Sequence, residues 1–135
     1  MSKDELEKII LDNEFKKAPH NPESLVWSYP EHITPLINDR FRVYCALFLN
    51  KDNNCLEDCT EIYDFEKKEF LLNKHLYICH VKKELDLLNE KTLMNVIKSQ
   101  KEMYNKMVKI VKQIMVDEKI NDLKKDFVKD DEQGE

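Results

Sequence analysis

The 135-residue chain contains a single glycine, Gly134, and four prolines, all between Ala18 and Pro35. Without glycine upstream, a glycine-rich phosphate-cradling loop cannot be built, and sharp hairpins that need a residue at positive φ are not expected. No apolar run approaches the roughly 18 to 20 residues that cross a bilayer. The opening MSKDELEKII carries three acids, so it matches neither a secretory leader nor an arginine-rich transit peptide. A His-Glu metal motif, a paired-acid cleft and a nucleophile beside a base are also lacking. No enzyme, cofactor or small-molecule substrate is expected.

What is there is charge and helix-forming residues. Asp, Glu, Lys and Arg make up 36% of the chain, with a formal net charge of -5. That balance argues against nucleic acid, whose binding comes mainly from a clustered basic face on phosphates. The charge is uneven: Lys91 to Val116 holds six lysines and one acid, whereas Asp117 to Glu135 holds eight acids and four lysines. A basic block beside an acidic tail fits complementary docking onto other protein subunits, or plain solubility. The abundance of Lys, Glu, Leu, Ile, Asn and Met with so little Gly and Pro predicts an all-α fold.

Ser2 and Glu5 form a capping box, and Leu6, Ile9, Ile10 and Leu11 give the first helix an apolar face, so residues 1–17 read as a short amphipathic helix. Residues 18–34 hold three of the four prolines together with Trp27 and Tyr29. This arm should be extended, its aromatics either covering the protein's own helices or anchoring on a partner. Thr34-Pro35 is a helix start. Ile37, Phe41, Tyr44 and Phe48 follow at spacings of four, three and four, the NKDNN stretch supplies a turn, and Asn54 with Glu57 can begin a second helix. Residues 35–90 are thus expected to form a cysteine-bearing helical hairpin. In residues 91–135, read as a long helix with an acidic tail, Leu93, Ile97, Gln100, Tyr104, Met107, Val111 and Ile114 step by four and three as a seam. Val116, Ile120, Leu123 and Phe127 continue the rhythm on a shifted stripe. One helix cannot bury its own seam; it must fold back on the chain, self-associate, or dock in a larger assembly.

Three geometries compete for the cysteines. With a turn centred on Asp52, Cys45 and Cys59 stand seven residues to either side. Facing each other in a helical hairpin they could form a disulfide closing a 15-residue loop, worth about 3 kcal/mol in the chain-entropy picture. Alternatively Cys55, Cys59, His75 and Cys79 have the spacing of a Cys3His zinc shell. The stretch between the pairs has no turn residues, and on one unbroken helix Cys55 and Cys79 would be roughly 36 Å apart. Third, the thiols are simply small core residues in a reducing compartment.

Cys45 and Cys55 have nine residues between them, which resembles the spacing in the coiled-coil-helix-coiled-coil-helix proteins of the mitochondrial intermembrane space. Glu57, Asp58, Cys59, Thr60, Glu61, Tyr63, Asp64 and Phe65 also look like the second-helix segment of the acidic hinge subunits of cytochrome bc1 complexes. The second pair departs from the pattern, with nineteen residues between Cys59 and Cys79. A Cys45–Cys59 bridge, with or without Cys55–Cys79, is what survives. The resemblance implies a non-catalytic accessory subunit of a respiratory complex, of complex I or cytochrome bc1 type, peripheral to the inner membrane and facing the intermembrane space. Trp27, Tyr29, Leu93, Ile97, Tyr104, Met107, Val111 and Ile114 would then contact other subunits. The competing expectation is a cytoplasmic coiled-coil adaptor or homodimer with reduced cysteines.

Overall fold

A computed structural model describes residues 1–17, 25–30, 37–71 and 81–133, with the side chains of Tyr44 and of residues 127–133 excepted. The all-α expectation is overturned. The protein is a curled antiparallel sheet with one long C-terminal helix laid across it.

The first element does follow its sequence. Helix α1 (Lys3–Asp12) is capped by Ser2, whose Oγ accepts from the Glu5 amide at 3.2 Å, and it buries Leu6 and Ile10. Glu14 then reverses the chain at a φ of 74°, and β1 (Lys16–Lys17) pairs with β2 (Val26–Tyr29). The part of the expected free arm that is described is therefore a strand inside the sheet.

The expected helical hairpin is a β-hairpin. β3 (Phe41–Asn50) and β4 (Cys55–Asp64) pair along their whole length, from Phe41 opposite Asp64 to Asn50 opposite Cys55. The stretch FRVYCALFLN is rich in aromatic and β-branched residues, and its alternate members Phe41, Val43, Cys45, Leu47 and Leu49 are all buried. The same residues also contain a four-three spacing, and the helical reading took that one. In β4 the alternation is disguised, because the inward positions Leu56, Asp58, Thr60, Ile62 and Asp64 include three polar residues. The tight turn between these strands forms without glycine. Asn54, with φ 54°, supplies the left-handed residue of the turn, and Asn38, Asp39 and Lys68 do so elsewhere; Asn and Asp bear that conformation better than other residues with a Cβ.

Among the described residues the sheet order is β1-β2-β3-β4-β5. β5 (Glu69–Phe70) and β6 (Lys82–Glu84) pair with opposite ends of the same edge of β4. A 3-10 turn at Leu85–Leu87 leads to Asn89, whose Oδ1 accepts from the Thr92 amide at 2.8 Å and caps α2 (Glu90–Gln133).

The seam predicted from Leu93 to Ile114 exists, and the sheet is its partner. Leu93, Val96 and Ile97 join Leu6, Ile10, Phe15, Trp27, Leu47, Leu49 and Leu56 in one core cluster. Met107 and Val111 join Phe41, Val43, Cys45, Ile62 and Leu71 in a second, with Tyr104 and Ile114 half-buried at its border.

Candidate functional site

Between the two clusters sits a polar joint. Gln100, 1% exposed, donates from Nε2 to Asp58 Oδ2 at 3.1 Å, while Asp58 Oδ1 accepts from the Val81 amide at 2.7 Å. One carboxylate thus ties together β4, the segment entering β6 and the helix. This fixes the register of α2 on the sheet, since sliding the helix by one turn would leave the buried Gln100 amide without its partner. The Tyr104 ring meets Tyr29 edge-on at 5.3 Å, and burial pushes its hydroxyl pKa up.

A second tie holds the far end. Arg40 lies just before β3, beside the Phe41–Asp64 pair that closes the hairpin. Its Nε and Nη2 donate to the two carboxylate oxygens of Asp64 at 3.0 and 2.9 Å, and its Nη1 donates to Glu118 Oε2 at 2.6 Å. Asp64, whose side chain is 1% exposed, also accepts from the amides of Glu66 and Lys67. The Arg40 hydrogen bonds hold Asp64 and Glu118 below the usual carboxylate range, and they hold the guanidinium proton more firmly still. Lys67 adds a 3.3 Å contact to Glu118.

Glu118 is where the helix leaves the sheet. Every residue from Lys119 to Asp126 is exposed, and α2 runs on to Gln133, about 22 Å further at 1.5 Å per residue. On this overhang lie Ile120 and Leu123, at 43 and 53% exposure, and just before it, beside Ile37 and Asn38, lies Val116, at 49%. They are the shifted stripe of the sequence.

The described thiols form no disulfide, and the Cys45–Cys59 bridge expected does not exist. Cys45 lies opposite Thr60, and Cys59 lies opposite Ala46. Neighbouring positions of a ladder point to opposite faces, so the two sulfurs diverge although their backbones are close. Both are free thiols: Cys45 is buried and Cys59 exposed. Cys55, also free and buried, shares a strand face with Cys59 but stands about 13 Å along it at roughly 3.3 Å per residue. That is too far for both to ligate one zinc ion. His75 and Cys79 lie outside the described residues, and among those described no group of three or more His, Cys, Asp and Glu side chains could hold a metal. Burial, then the Asp58 carboxylate, push the Cys45 thiol up to about 12; partial burial, then Glu61, raise Cys59 as well. Iodoacetamide should therefore modify Cys59 in the native protein while sparing Cys45 and Cys55 until denaturant is added. Peptide mass mapping reads the order; equal native rates at Cys45 and Cys59 would contradict the strand register.

The other residues expected to contact partners are used within the chain. Trp27 is 0% exposed in the first core cluster, and Tyr29 packs on Phe15 and Tyr104. Reading the sequence missed Arg40, Asp64 and Asp58. An arginine just ahead of an apolar strand, and acids on one face of the next, are the signals that were present, but they are meaningful only once the hairpin register is known. Comparison with protein-family models, with curated proteins and with solved structures finds no match to this chain. No helix among the described residues is long and apolar enough to cross a membrane.

Proposed function

We propose that this protein is a non-catalytic docking module, whose sheet and anchored helix serve to hold the end of α2 out for another helix. The observation that carries this reading is the change of face at Glu118. The seam that feeds the core ends there, held by Arg40, and an apolar stripe on another side of the same helix takes over in the open. Scattered exposed apolar residues need no explanation, but three in heptad register on a helix that outruns its sheet are the pattern of a helix-recognition surface. Of the earlier expectation this keeps the protein partner and the absence of catalysis. The narrower assignment to a respiratory complex in the intermembrane space rested on helices stapled by disulfides; the described cysteines, Cys45, Cys55 and Cys59, lie in strands as free thiols, and nothing else supports the location.

The test is photo-cross-linking in the protein's own cells, with a benzophenone amino acid at Leu123 and, as controls, at the exposed Lys3 and Asp86. Discrete, saturable adducts at Leu123 alone are expected. Adducts of equal yield at all three positions would refute a docking role for the overhang.

A further inference from the structure

The stripe itself indicates what covers it. At about 100° per residue, Val116, Ile120 and Leu123 fall within about 60° of arc, roughly 120° to 180° away from the sheet-facing Met107 and Val111. Val116 borders a groove with Ile37 and Asn38, and one turn later Ile120 and Leu123 lie where a second helix can approach. Beside them are four exposed charges, Asp117, Lys119, Lys124 and Asp126, at the flanking positions of the repeat.

Resting on the docking reading above, we infer that the partner is a second copy of this chain, packed antiparallel along the overhang. If Ile120 of one copy is placed opposite Leu123 of the other, the same two-fold operation places Leu123 opposite Ile120, and the middle of the stripe is filled from both copies. That operation sets Asp117 beside Lys124 and Lys119 beside Asp126 of the other copy, twice each, every pair of opposite sign. A parallel pairing instead sets Lys112 beside Asp117 but brings Lys119 against Lys124, so only the antiparallel pairing makes every described flanking contact one of opposite sign. The charges flanking the stripe therefore select one orientation. Self-complementarity about a two-fold axis is what a closed dimer requires.

Sedimentation of the full chain from low micromolar to near-millimolar concentration should show a monomer–dimer equilibrium. Ile120→Asp with Leu123→Asp should remove the dimer at every concentration with the melting temperature of the dilute monomer unchanged. Carbodiimide coupling of a mixture of unlabelled and 15N-labelled protein should yield mixed-isotope Lys119–Asp126 and Lys124–Asp117 peptides. An acid variant (Lys119→Asp, Lys124→Asp) and a base variant (Asp117→Lys, Asp126→Lys) should each be monomeric and should pair when mixed. A wild-type chain that stays monomeric throughout, or mixed-isotope coupling of Lys112 to Asp117 in place of these pairs, overturns the antiparallel dimer. If the monomeric chain still gives Leu123 adducts with a different protein in cells, only the identity of the partner is wrong; if those adducts are absent too, the docking reading falls with it.

Discussion

Arg40→Ala should be among the most destabilising single changes in this protein, costing about 3 to 5 kcal/mol, because it leaves the buried Asp64 carboxylate without its cation and frees Glu118 at the same stroke. Part of the loss is cushioned by the Glu66 and Lys67 amides that still reach Asp64, and the Glu118 contact, at 36% exposure, contributes less than its distance suggests. Arg40→Lys should recover only a minority of the effect, since a single ammonium cannot match the two-pronged geometry. The pH dependence follows from the lowered carboxylates. A carboxylate held below its unfolded value stabilises the fold fully above that ordinary value, near 4, and the contribution is lost as pH falls through the lower folded value. Urea unfolding followed from about pH 6 down to about pH 3 should show wild type losing stability steeply at the acid end and Arg40→Ala losing much less. Parallel curves for the two proteins would mean that Arg40 does not hold these acids.

The second expectation contrasts two isoleucines of one helix. Ile97, 2% exposed in the first core cluster, should cost about 2 to 5 kcal/mol when cut to alanine, by lost burial and the cavity left behind. Ile120, 43% exposed, should cost within about 0.5 kcal/mol in the same assay at concentrations where the chain is monomeric. Thermal melts of the two variants side by side check this directly. If Ile120→Ala destabilised the isolated monomer as much as Ile97→Ala does, the overhang would be packed within its own chain and free for no partner.

Both experiments probe a division that the sequence recorded without explaining. The Leu93–Ile114 seam and the shifted stripe from Val116 are legible as two rows, because helical spacing persists over many turns and nothing between Asn54 and Gly134 interrupts it with proline or glycine. Which row faces the protein and which faces outward is not legible, since both are simply apolar. The sheet escaped for a different reason. In a ten-residue strand whose inward row includes Cys45, facing a strand whose inward row includes Asp58, Thr60 and Asp64, the two-residue alternation competes with an equally good three-four spacing. Short apolar segments do not by themselves distinguish the two periods. The polar members that blurred the pattern are the ones doing structural work: Asp58 takes Gln100 and Asp64 takes Arg40.

The sequence alone therefore determined the capped first helix, the long C-terminal helix with its two stripes, and the split of charge along it, because each of these depends on residues within a few turns of one another. Tertiary structure decided that residues 41–64 form a hairpin of strands, that Cys45 and Cys59 point apart, and that the seam is filled from within the chain. These outcomes turn on partners distant in sequence: a strand becomes favourable when its neighbour satisfies its backbone and a helix covers its inner face, and neither condition is written in the local spacing of its own side chains.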